Sequence, residues 1–113
     1  MPAARKPRPR MPSDLDLART AGLFGAFANE GRLRALMALA GNGPMVVSEL
    51  IPLCGLEQSA LSHQLKVLRA AGLVVAERRG KQVVYALADA HVTNILDNGL
   101  HHARERARKG HAS

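Results

Sequence analysis

Leucine recurs at helical spacing at Leu61, Leu65 and Leu68, in a segment that opens after Gly55-Leu56 and stops at Gly72. Two runs rich in β-branched residues follow at once, Leu73 to Arg78 and Lys81 to Leu87, around a turn at Arg79-Gly80. This succession narrows the choice of fold more than any other stretch. Ser48 and Glu49 can start a helix that runs to about Cys54, and Gln58 or Ser59 opens the next, which runs to Ala71. Two helices joined by a glycine-containing break of a few residues make a helix-turn-helix. The β-branched runs around a glycine turn make a hairpin beside it. The predicted fold is mainly α with a small β-hairpin, a winged helix-turn-helix. Pro52 fits only if it lies in or near the first turn of its helix.

With the leucines inward, Ser59, Ser62, His63, Lys66 and Arg69 are left outward. Such a helix can enter the major groove, where Gln and Ser supply donors and acceptors to base edges. Gln58, Ser59, Ser62 and His63 are the expected base readers. Lys66 and the hairpin cations Arg78, Arg79 and Lys81 are the expected phosphate contacts. The charge balance agrees: sixteen Lys and Arg against nine Asp and Glu give a formal net charge of +7, which favours a polyanionic partner. Phe24, Phe27 and Tyr85 are the only aromatics, too few for a protein that stacks single-stranded bases, so double-stranded DNA is the expected target.

Upstream, residues 1–12 are basic and proline-rich with no acid, and read as a disordered arm. A first helix runs from Ser13 to about Ala28, with Leu17, Ala21, Phe24 and Ala28 repeating on one face. Asn29 can cap a second, in which Leu33, Leu36, Met37 and Ala40 are expected inward, ended by Gly41-Asn42-Gly43-Pro44. A short strand or extended piece is expected at Met45 to Val47. One domain, residues 13–105, is predicted, with residues 106–113 a fraying tail. A core this small calls for a partner, and a homodimer through the first and last helices is expected. Cys54 lies in an apolar run and reads as a buried core thiol. No run is long enough to span a membrane and no leader is visible, so a cytoplasmic protein is expected.

The stretch from Asp89 to Glu105 has an apolar stripe (Val92, Ile95, Leu96, Gly99, Leu100, Ala103) and metal-capable side chains at both ends. Asp89 is placed to cap the helix, with His91 beside it; His102 and Glu105, three apart, share a face at the far end. At about 1.5 Å per residue, His91 and His102 stand ~16 Å apart, too far to share an ion within one helix. Eleven steps of about 100° return almost to the same face, so two antiparallel copies would bring the ends together as two equivalent sites. His101 lies about 80° off that line. Gly99 costs about 1 kcal/mol against Ala in mid-helix, which a closely approaching partner helix would explain.

These segments resemble the ArsR/SmtB family of winged helix-turn-helix metal sensors. Glu57-Gln-Ser-Ala-Leu-Ser-His-Gln-Leu-Lys-Val-Leu-Arg is similar to its recognition-helix signature, and Ala26-Phe-Ala-Asn-Glu-Gly-Arg-Leu-Arg to its second-helix entry. Asp89, His91, His102 and Glu105 match its last-helix motif. The resemblance implies palindromic operator DNA, repression relieved by metal, and a metal site shared between subunits. The thiolate cluster of the family's soft-metal sensors is missing, since Met45-Val-Val-Ser occupies that stretch. Two imidazoles and two carboxylates suit Ni²⁺ or Zn²⁺, with Co²⁺ also compatible and His101 or His111 available to complete a larger shell. The wording of the recognition helix places nickel slightly ahead of zinc. An enzyme is not expected, because the chain lacks the length for a substrate cleft beside an open metal position. The alternative is a regulator of the same fold without a working metal site.

Overall fold

Capping residues mark where the helices begin. The computed structural model describes residues 10–109. Ser13 accepts a hydrogen bond from the Asp16 amide at 3.1 Å and opens α1 (Asp14–Phe27), with Asp14 and Asp16 at the positive end of the dipole. Asn29 accepts from the Arg32 amide at 2.9 Å and opens α2 (Glu30–Asn42). Next come β1 (Met45–Val46), α3 (Val47–Cys54), α4 (Gln58–Ala70), β2 (Val74–Arg79), β3 (Gln82–Leu87) and α5 (Ala90–Arg108). Five helices and a three-stranded antiparallel sheet of order β1-β3-β2 form the winged helix-turn-helix.

Leu36, Leu50, Leu61, Leu65, Leu68 and Leu73 are the large side chains fully removed from solvent. They come from α2, α3, α4 and the entry to β2, so the core holds the helix-turn-helix against α2 and the hairpin. Cys54 belongs to this core, and burial pushes its thiol above the ordinary value, with the Arg34 charge opposing. The end of α4 is a full left-handed cap. Gly72 takes φ of 76°, its amide donates to the Arg69 carbonyl, and the Leu73 amide donates to the Leu68 carbonyl, each at 3.0 Å. Leu68 and Leu73 pack beneath the turn, which aims the chain from α4 straight into the wing.

Several expectations need correction. The apolar face of α1 stays open in the single chain, with Leu17 41% and Phe24 52% exposed, and the residues that α1 buries are Ala26 and Phe27. In α2 the buried face is Ala35, Leu36, Ala38 and Leu39; Leu33, Met37 and Ala40 lie at its half-buried edge. Periodicity finds an apolar stripe but not which edge of a wide one faces the core. Val47 starts α3 rather than ending the extended piece, and Met45 and Val46 pair with Tyr85 and Val84 as an added strand. Pro52 sits in the second turn of α3, not the first. It is exposed and its missing N–H removes one bond from a helix that ends two residues later, at Cys54, capped by Gly55 with φ of 64°. The hairpin turn is one residue later than expected: Arg79 pairs with Gln82, and Gly80-Lys81 is the loop. Gly80, at φ of 62°, supplies the left-handed residue that two-residue hairpins favour. The helix of α5 runs to Arg108, into the expected tail, where Arg106 and Arg108 complement its carbonyl end. The expected N-terminal arm lies outside the described residues up to position 9, as does His111.

Candidate nucleic-acid interface and metal centre

The helix-turn-helix leaves one side of α4 free. Gln58, Ser59, Ser62, His63, Lys66 and Arg69 are all exposed along it, while the three leucines of the opposite face have no accessible surface. No side chain caps the first turn of α4, so its leading amides are free of side-chain partners. The expected wing cations are also exposed. Arg79 approaches Glu77 at 3.4 Å, a loose surface pair, and Arg78 donates from Nε to the Gly80 carbonyl at 3.2 Å, inside its own turn. Lys81 occupies the loop itself.

On α5 the two ends are separately organised. Asp89 caps the helix: its Oδ1 accepts from the amides of His91 at 2.9 Å and Val92 at 3.3 Å. His91 Nδ1 lies 3.4 Å from the same oxygen, with its side chain 90% exposed. Nineteen helical residues give α5 a length of about 28 Å, and His91 and His102 are ~16 Å apart along it. Accordingly, among the described residues no group of three or more His, Cys, Asp or Glu side chains could hold a metal ion within one chain. At the far end Glu105 faces His101, at 3.7 Å, rather than His102. Four residues along a helix is a 40° offset and three is 60°, so the i,i+4 pair meets more readily. His102 is exposed, and its side chain makes no hydrogen bond among the described residues.

Between the start of the fold and its end runs an apolar groove of about 410 Å³, walled by Phe24 and Phe27 of α1, Leu33 and Met37 of α2, and Ile95 and Gly99 of α5, among others. A Cβ built on Gly99 would meet nothing within 4 Å, so no contact among the described residues of one chain explains that glycine.

A junction that pattern reading missed lies behind α4. The Arg32 guanidinium donates to the Ala26 carbonyl at 2.7 Å, the Gly25 carbonyl at 3.3 Å and Gln64 Oε1 at 3.0 Å. Arg32 stands in the segment similar to the family's second-helix entry, but spacing alone assigns it no partner 32 residues away.

A leucine-backed helix with a polar, basic outer face, set between a tight turn and a cationic hairpin, defines a DNA-binding winged helix-turn-helix protein. The family model described as "Bacterial regulatory protein, arsR family" matches residues 29–75. The HTH-type transcriptional regulator NmtR of Mycobacterium tuberculosis is 45% identical over 97 residues, spanning 85% of this chain and 80% of NmtR. The "Transcriptional repressor SmtB homolog" of Synechocystis sp. is 37% identical over 101 residues, 89% of this chain and 76% of that protein. Among solved structures, a homodimeric winged helix-turn-helix DNA-binding domain from Mycobacterium bovis superposes with a TM-score of 0.79 at 28% identity, covering 90% of this chain and 96% of that one. The chain belongs to the ArsR family of bacterial regulatory proteins, and is a DNA-binding transcriptional regulator.

Proposed function

We propose that the protein is a metal-responsive repressor that binds palindromic operator DNA as a homodimer and releases it when Ni²⁺, or alternatively Zn²⁺ or Co²⁺, occupies sites between the subunits. The observation that carries this reading is the geometry of α5. Asp89, His91 and His102 are exposed and Glu105 half-buried, the two histidines return to one face ~16 Å apart, and no third ligand among the described residues of one chain completes either cluster, which calls for a second chain.

The donor set fits a divalent ion. Asp89 Oδ1 is engaged by two amides, which leaves Oδ2 available, and the imidazole of His91 stands beside it in solvent. Two carboxylates and two imidazoles provide hard and borderline donors with no thiolate, the set preferred by these ions over soft metals. The one cysteine is in the core and unsuited to ligation. A second copy seated antiparallel would cover the apolar groove, give Gly99 its close neighbour, and bring Asp89 and His91 to the partner's His102 and Glu105. His101 is the nearest further donor, through its contact with Glu105.

Dimer geometry then governs DNA binding. Both α4 helices must enter successive major grooves about 34 Å apart, with Gln58, Ser59, Ser62 and His63 at base edges and Lys66, Arg78, Arg79 and Lys81 on phosphates. Fixing the two α5 helices at an angle that spoils this spacing sets metal against DNA, with a coupling of typically about 1–3 kcal/mol. Calorimetric titration of the purified protein with nickel, zinc and cobalt, followed by operator titration with and without the tightest, tests the reading. Tight binding of one ion and a weakened operator complex are expected. No metal binding, or an operator affinity indifferent to metal, would leave a regulator that answers to another signal.

A further inference from the structure

The junction behind α4 joins three helices through one side chain. α1 ends in the turn at Ala28 with no basic residue in its last turn, so its carbonyl end has no charge of its own to complement the dipole. Arg32, from the first turn of α2, supplies it. Nε and Nη2 donate to the Ala26 and Gly25 carbonyls, and Nη1 reaches across to Gln64 in the middle of α4. The planar fork makes this possible, because it offers donors in fixed divergent directions that a lysine ammonium does not. The approach is close as well as polar. A Cβ on Gly31 would lie 3.3 Å from Leu56 in the turn before α4 and 3.9 Å from Gln64 Nε2. The backbone of Arg32 is itself pinned by the Asn29 cap at 2.9 Å.

Gln64 directly follows His63 in the chain but is half-buried, facing α2 while His63 faces out. Turning α4 about its axis, or tilting it away from α2, would break the Nη1 bond before disturbing the leucines beneath. We infer that Arg32 is a positioning residue for DNA recognition: its guanidinium, shared between the carbonyl end of α1 and Gln64, fixes the pose in which α4 is presented to the major groove. This rests on the reading of α4 as the groove helix.

The test uses the full chain and two duplexes of equal length and composition: one selected by the wild-type protein from a randomised pool, the other scrambled. The quantity read is the ratio of the two affinities at one salt concentration, since phosphate contacts affect both duplexes alike. Arg32→Lys and Gln64→Leu are expected to lower the ratio about tenfold, the scale of one misaligned base contact. Gln64→Glu is expected to keep it within about twofold, because a carboxylate is a stronger acceptor for the same donor and its charge weakens both complexes together. A contribution to stability alone would lower the thermal midpoint, leave the ratio unchanged and show no rescue. If Arg32→Lys does not fold, Gln64→Leu decides. An unchanged ratio in Gln64→Leu, with a lowered one in His63→Ala, overturns the proposal and leaves the groove reading intact. A pool that yields no preferred duplex, or a ratio that no variant moves, Ser62→Ala and His63→Ala included, removes the groove reading and the proposal with it.

Discussion

Mixing two inactive variants should restore a metal site, and the count of restored sites follows from the length of α5. His91 and His102 lie about eleven residues, or ~16 Å, apart, so His91→Ala and His102→Ala each remove one ligand from both sites of a symmetric dimer. Losing an outer-shell partner weakens metal binding by about 10–100-fold, and losing a direct ligand by at least the upper figure, or roughly 2.7 kcal/mol. With free metal held about tenfold above the wild-type dissociation constant, both variant homodimers should therefore be largely empty. In a mixed dimer, the His91 of one chain meets the His102 of the other at one interface site, while the second site lacks both imidazoles. Random exchange makes half the dimers mixed, so an equimolar mixture should bind roughly a quarter of the wild-type metal. Differently tagged chains, native mass spectrometry and elemental analysis after gel filtration would read this directly. A mixture that stays empty, or a His91→Ala homodimer with full metal content, would refute the shared-site geometry.

His63→Ala should weaken operator binding by about 1–3 kcal/mol per half-site while leaving metal affinity unchanged, measured by anisotropy and calorimetry. Leu65→Ala, at a position with no accessible surface, should lower stability by about 2–5 kcal/mol in urea denaturation; a shift below about 1 kcal/mol would mean that α4 is not held by its leucine face. Because burial raises the Cys54 thiol, the native chain keeps a proton that the unfolded chain releases. The corresponding stability is complete below the ordinary thiol value, about 8.5, and is lost as pH rises through the folded value. Urea midpoints measured across that range should fall more steeply in the wild type than in Cys54→Ala.

What the residues revealed in advance was local. Ser13, Asn29 and Asp89 were legible as caps because a cap bond spans two or three residues. Leu61, Leu65 and Leu68 were legible because α4 packs on one side only. Gly80 announced the hairpin, but the turn expected at Arg79-Gly80 lies at Gly80-Lys81, because a glycine alone does not say which neighbour completes the loop and the pairing of Arg79 with Gln82 does. The stripe of α1 was legible as a stripe, but spacing alone does not say what covers it: Leu17 and Phe24 stay open among the described residues of one chain. The Arg32–Gln64 bond was out of reach, because it joins residues 32 apart whose types are ordinary on helix surfaces. The far end of α5 was half legible: His102 and Glu105 share a face, yet the carboxylate turns to His101.

Asp89 has work to do whether or not an ion ever arrives, because one of its oxygens holds the opening turn of α5. The side chain of its neighbour His91 projects into solvent, and among the described residues its one polar contact is with Asp89 itself. A lineage that abandoned metal sensing would thus keep the acid and let the imidazole drift. Surveys that infer metal response from the acid at this position would count such descendants as sensors, whereas the histidine two residues later would reveal the loss.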